Sequence, residues 1–187
     1  MKYLIAGLGN VGEEYANTRH NIGFVVLDAL AQSLQSTFRV ERYAYVSESK
    51  FKGRNLILIK PSTYMNLSGK AFRYWMQAAK TPLENTLVVT DDIDLNPGAI
   101  RIKAHGSGGS HNGMNHIIET LGTTEFPRLR VGIGSDFARG FQVEHVLGRW
   151  TKQEEKLMSE RIPLIVDAIK SFVTSGIDTA MNFYNNK

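Results

Sequence analysis

Short apolar strands that alternate with amphipathic helices limit what this chain can fold into more than any other feature. The first strand reads from Lys2 to Ala6 and stops at a glycine-rich turn, Gly7-Leu-Gly-Asn-Val-Gly12. A polar stretch, Glu13 to His20, separates it from a helix. There Ile22, Val25, Val26, Ala29, Leu30 and Leu34 recur on one face. Runs at Tyr43–Ser49 and Asn55–Ile59 read as a hairpin joined through Lys52-Gly-Arg54, with Pro61 ending the second strand. A helix from about Leu67 to Lys80 is expected to bury Ala71, Tyr74, Trp75 and Ala79. Strands follow at Leu87–Thr90, Ile100–Ala104 and Leu129–Ile133, with a turn at Asn96-Pro-Gly98 and a short helix ending near Leu121. Thr151 and Glu154 make a capping box for a last long helix reaching about Val173. Pro163 should kink or break that helix, and Gly176 lies just past its end. The expected fold is a single α/β domain over residues 1–187, a twisted, mixed and mostly parallel β-sheet with helices on both faces.

Composition narrows the class. At ~150 residues per domain, 187 residues favour one domain over two. No apolar run is longer than four residues, which excludes a membrane-spanning helix. The opening Met-Lys-Tyr-Leu-Ile-Ala-Gly is too short and too glycine-broken for a secretory signal. The absence of cysteine removes disulfides, thiol nucleophiles and thiolate zinc sites together. A cytoplasmic, monomeric protein is expected. Its net charge of +4 is mild, but between Arg101 and Arg149 basic residues outnumber acidic ones, as a polyanion partner would require.

In sheets of this kind ligands bind outside the carboxyl ends of the strands, so Asn10, Asp91 and the loop Gly106–Gly113 are the positions to question. The Gly7–Gly12 turn matches a dinucleotide fingerprint in letters only. A polar segment follows it instead of a helix, and Asp28, at the right distance for a ribose contact, falls within a helical pattern. The Gly106–Gly113 loop lacks the Lys-Ser/Thr ending of a phosphate-binding loop. It places His111 and Asn112 at a helix start, where backbone N–H groups can meet an oxyanion. Asp91, Asp92 and Asp94 cannot easily converge on one cation, because consecutive strand residues point to opposite sides. The histidines show no metal-binding spacing, and no serine sits in a nucleophile elbow. Water is therefore the expected nucleophile. Its base should titrate near neutrality, which suits an imidazole at ~6.5. His20, before a helix and close in sequence to the first strand's end, is the best-placed base, and Asp91 could hold its ring.

The segment Tyr15-Ala-Asn-Thr-Arg-His-Asn-Ile-Gly23 resembles the bacterial peptidyl-tRNA hydrolases. Gly7-Leu-Gly-Asn10, Lys60-Pro-Ser-Thr-Tyr-Met-Asn-Leu-Ser-Gly69, the Asp91–Gly98 segment, His111-Asn-Gly113 and Arg128-Leu-Arg-Val-Gly-Ile-Gly134 match in the same order, so the resemblance spans nearly the whole chain. It implies hydrolysis of the ester joining a peptide to the 3′-terminal ribose of tRNA, without metal or cofactor. By the same resemblance His20 is the base and Asp91 its orienting carboxylate. Asn10, Asn66 and Asn112 position the peptide end and the water. Tyr15 and Tyr64 line the tRNA 3′ end, and Lys103 and Arg130 clamp the 5′ phosphate. Val11 stands where the family commonly has proline, and Asn115 where it usually has a basic residue.

The chemistry agrees with the residue types. An ester's alkoxide leaves with less assistance than an amine, so a His–Asp pair and one water can suffice. Asparagine both donates and accepts without adding charge beside an oxyanion or phosphate. Two other classes fit the residues less well. A catalytically silent tRNA-binding module would keep Lys103 and Arg130 but would not need His20, Asp91 and three asparagines together. A dinucleotide-dependent oxidoreductase fails on the context of its glycine motif.

Overall fold

The computed structural model describes all of residues 1–187. Its centre is a sheet of seven strands: β1 (Lys2–Gly7), β2 (Arg39–Glu41), β3 (Ala44–Phe51), β4 (Arg54–Pro61), β5 (Thr86–Asp92), β6 (Ile100–Lys103) and β7 (Arg128–Gly132). They lie in the order β2-β3-β4-β1-β5-β7-β6. β4, β1, β5 and β7 are parallel, and β3 and β6 run antiparallel to their neighbours. The expected single mixed, mostly parallel sheet is present.

Continuous apolar strands arise because this sheet is covered twice. In β4, Leu56 and Leu58 face one core while Ile57 and Ile59 face the other. The first core is closed by α1 (Ile22–Ser33), α5 (Lys152–Ser175) and α6 (Ile177–Tyr184), and the second by α2 (Ser68–Ala78) and α3 (Asn112–Leu121). The β3–β4 hairpin turns on Lys52 and Gly53, both at positive φ (46° and 81°), as a tight two-residue hairpin loop requires.

Two expectations change. α2 buries Ala71 and Phe72 at its centre, whereas Tyr74 and Trp75 are only half-buried, their rings turned to Tyr43 and Arg42 at the sheet margin. Pro163 does not interrupt α5, which runs unbroken through it. It sits on the exposed side, where water can satisfy the carbonyl that loses its partner. The chain also forms the short β2 and a five-residue helix α4 (Gln142–Val146), neither of which has enough length to show a period. Of the C-terminal side chains, Met181 and Tyr184 pack on the first core and Phe183 is exposed. Just beyond α6, the Asn185 amide pairs with β6, accepting from the Ile102 N–H and donating to the Ile102 carbonyl.

Candidate active site

The carboxyl ends of β1 and β5 meet at the centre of the sheet. The first two glycines of the Gly7–Gly12 turn serve packing. A Cβ on Gly7 would lie 2.3 Å from the Gly23 carbonyl oxygen, and one on Gly9 2.8 Å from the Phe24 ring, so α1 can approach β1 only over glycine. The buried Asn21 side chain then clamps the Asn10 backbone in both directions, accepting from its N–H and donating to its carbonyl, each at 2.8 Å. His20 stands one residue before this clamp, on a 3-10 turn (Arg19–Asn21).

Asp91, the sixth residue of β5, is buried and bridges two imidazoles. His20 Nδ1 lies 2.8 Å from one carboxylate oxygen and His111 Nε2 2.9 Å from the other. Burial opposes ionisation of Asp91, but the charges and hydrogen bonds of His111 and His20 outweigh it and hold the carboxyl well below the usual carboxylate range. An ionised carboxylate only accepts, so both facing ring nitrogens carry protons. His111 Nδ1 also accepts the Met114 N–H at 3.1 Å, capping α3. Both nitrogens of His111 are thereby engaged. His20 alone retains a free nitrogen, Nε2, and it lines a cleft shared with Asp91, His111, Asn112 and Arg130.

His20, Asp91 and His111 are also metal-ligating residue types whose donor atoms lie within 4.8 Å of one another. Their donors are hydrogen-bonded to each other, so an ion would have to displace this network. Asp92 turns away from Asp91 to accept the Asp94 N–H, and the three aspartates do not converge.

The Gly106–Gly113 loop is tied down rather than loose. Arg128, wholly buried, donates to the carbonyls of Phe126, Gly106, Ser107 and Thr124 and lies over the Phe126 ring. Burial, with Arg130 nearby, lowers its pKa to about 10. Asn115 donates to the Gly109 carbonyl at 3.0 Å and fills the space above Gly108. On the other side of His20, Arg19 makes a two-pronged ion pair with Glu154 at 2.8 and 3.1 Å and donates to the His145 carbonyl. Glu154 also completes the capping box with Thr151, so α5 and α4 are both anchored beside the base.

A second, open groove of about 550 Å³ is lined by Asn10, whose backbone is held by the residue after His20, and by Tyr15 and Tyr64, the last 80% exposed. Asn66 is exposed on the 3-10 turn that follows Tyr64. Lys103 lies apart from these concavities on the edge strand. Lys103 pairs with Arg128, and Arg101 with Arg130, across β6 and β7, which puts all four cations on one face of the sheet. Arg130 donates to the Ser107 carbonyl and lies 3.7 Å from Asp92.

A family model described as peptidyl-tRNA hydrolase matches residues 4–187. The chain belongs to the peptidyl-tRNA hydrolase family, a family of enzymes. The peptidyl-tRNA hydrolase of Phocaeicola vulgatus is 57% identical over 187 residues, covering all of both chains. That of Cytophaga hutchinsonii is 54% identical with the same coverage. The crystal structure of peptidyl-tRNA hydrolase from Acinetobacter baumannii superposes with a TM-score of 0.93 at 35% identity, covering 98% of this chain and 94% of that one. No helix is long and apolar enough to cross a membrane.

Sequence reasoning on this family member missed three residues that build the site. His111 was singled out for its place at a helix start, not as a second donor to Asp91. Asn21 carried a signal only in its position beside His20. Arg128 counts in the sequence only among the bases between Arg101 and Arg149, and nothing local there signals its burial.

Proposed function

We propose that this protein hydrolyses the ester between a peptide, or an N-blocked amino acid, and the 3′-terminal ribose of tRNA, with His20 as general base. The observation that carries this reading is the bridged Asp91, which leaves a single unengaged imidazole nitrogen, His20 Nε2, at the cleft. Water bound there gives its proton to Nε2 as its oxygen attacks the ester carbonyl. Asp91 stabilises the imidazolium that forms and is not itself protonated. The tetrahedral intermediate collapses, the ester bond to the ribose oxygen breaks, and the imidazolium returns the proton to that oxygen. Of the asparagines, Asn112 lines this cleft, and on this reading Asn10, Asn66 and Asn112 supply neutral donors for the oxyanion and the peptide end. Tyr15 and Tyr64 flank the terminal nucleoside. Lys103 and Arg130 contact phosphate, which adds affinity without reading sequence and suits an enzyme that acts on many tRNAs. On this reading the enzyme works in the cytoplasm as a monomer.

The test is release of an N-acetylated amino acid from tRNA in the presence of EDTA. Wild type should cleave, and His20→Ala should lose about 10²–10⁴ in rate with its fold unchanged by circular dichroism. A folded variant that retains full rate would move the base elsewhere. Binding of tRNA without cleavage by wild type would leave only a binding module.

A further inference from the structure

The groove lined by Asn10, Tyr15 and Tyr64 does not end at those residues. It continues to Tyr43 and Lys70, and there it becomes cationic. The Arg42 guanidinium lies over the rings of Tyr43 and Tyr74, at 5.0 and 5.2 Å, and the Lys70 ammonium lies 5.0 Å from the Tyr43 ring. Arg42 donates to the Tyr43 hydroxyl, and the two cations together hold this phenol below its ordinary pKa. Neither Arg42 nor Lys70 has a carboxylate within ion-pair distance. Glu14 is the one acid of the groove and stands at its other end, against Gly12.

The cluster is built. Tyr43 holds a left-handed backbone, φ 65°, which costs a non-glycine residue about 1 kcal/mol or more and persists only where its surroundings impose it. Those surroundings are specific. The Trp75 indole donates to the Arg42 carbonyl at 2.7 Å, and the Tyr43 carbonyl accepts the Ser62 N–H at 2.8 Å.

Sheet order decides which part of a substrate could reach it. Lys103 and Arg130 lie on β6 and β7, to one side of the β1–β5 seam that carries His20 and Asp91. Tyr43 and Lys70 lie on the opposite side, beyond β4. With the RNA body held on the first side, the ester at the seam and the terminal nucleoside against Tyr15 and Tyr64, the Tyr43–Lys70 end of the groove is left for the acyl part. We propose that Arg42, Tyr43 and Lys70 form a peptide subsite that favours an acidic side chain upstream of the ester. This rests on the hydrolase reading above and adds to it the charge of the preferred peptide.

The experiment has two arms. In the first, wild type and the double variant Arg42→Gln/Lys70→Gln are assayed on tRNAs carrying acetylated tripeptides with Asp, Asn or Lys at either residue upstream of the ester. For exposed charges the expected effect is a KM about three- to fivefold lower for Asp than for Lys in wild type, falling to a ratio near one in the variant. In the second, the same tripeptides free of RNA are titrated into wild type, following the backbone amide NMR signals of Tyr43 and Lys70. Shifts with the Asp peptide and not the Lys peptide support the subsite even if wild type cleaves no tRNA ester, in which case the hydrolase reading alone fails. Equal KM values for Asp and Lys in wild type, discrimination that survives in the variant, or shifts that ignore peptide charge would each overturn the subsite.

Discussion

Asp91 accepts one hydrogen bond on each carboxylate oxygen, and its two donors are left in different states. His111 is closed on both nitrogens, whereas His20 keeps Nε2 open to the cleft. Asparagine at position 91 has only one oxygen to accept with, so one ring loses its anchor. Asp91→Asn should lower kcat by about 10²–10⁴ with little change in KM, as steady-state kinetics on an acetylated aminoacyl-tRNA would show. The same residue sets an acid limb of stability. Its carboxyl sits below the unfolded value of ~3.9, so its contribution is fully present above that value. It is lost as pH falls through the carboxylate range toward the folded value. The advantage of wild type over Asp91→Asn in urea melts should therefore shrink steadily as pH is lowered below about 4. His20 and Asp91 were legible in the sequence because each stands close to a strand end, where ligands gather. The use of His111 was not, since it depends on a loop folded back by Arg128 and Asn115 across contacts that no local pattern records.

Among the elements, the loop before α3 depends most on one side chain. Arg128 lends its guanidinium to four backbone carbonyls without a counter-ion, so methionine there would strip the donor from Phe126 and Gly106, while Ser107 keeps Arg130 and Thr124 keeps two backbone N–H groups. Arg128→Met should cost about 3 kcal/mol, or roughly 6–12 °C in Tm by calorimetry, and lower activity by loosening the loop that holds His111. α5 supplies the converse case. Pro163 lies on its exposed side, and Pro163→Ala restores a helical hydrogen bond at no cost in packing. That variant should gain about 1–2 kcal/mol in chemical denaturation, less than the ~3 kcal/mol of the intrinsic helix scale because proline also restrains the unfolded chain. Reading a proline as a break ignored which side of the helix it occupies. Burial of Tyr74 and Trp75 fails for a related reason: contacts with Tyr43 and Arg42 hold both at the sheet margin, while Phe72 joins Ala71 and Ala79 in the core. β2 and α4 were invisible for a simpler reason: three and five residues cannot display a period.

For the molecule as a whole, the order of strands sets the cations of β6 and β7 on one side of the seam and the tyrosines beyond β4, with Arg42 and Lys70 against them, on the other. If phosphate contacts dominate the first side, Lys103→Ala should weaken tRNA binding and reduce the slope of log K against log salt by about one. An unchanged slope in filter-binding titrations would place Lys103 away from phosphate. The alternation of strands and helices was enough to foresee the sheet and its two covered faces, but not where its margins would be sealed. β6 is an outermost strand, and such a strand normally offers bare N–H and C=O groups on which another chain can add. Here the amide of Asn185 occupies Ile102 on both its donor and its acceptor, imitating one residue of a neighbouring strand. A single side chain beyond the last helix thus guards the middle of this edge, denying an incoming strand the two main-chain groups it would need there.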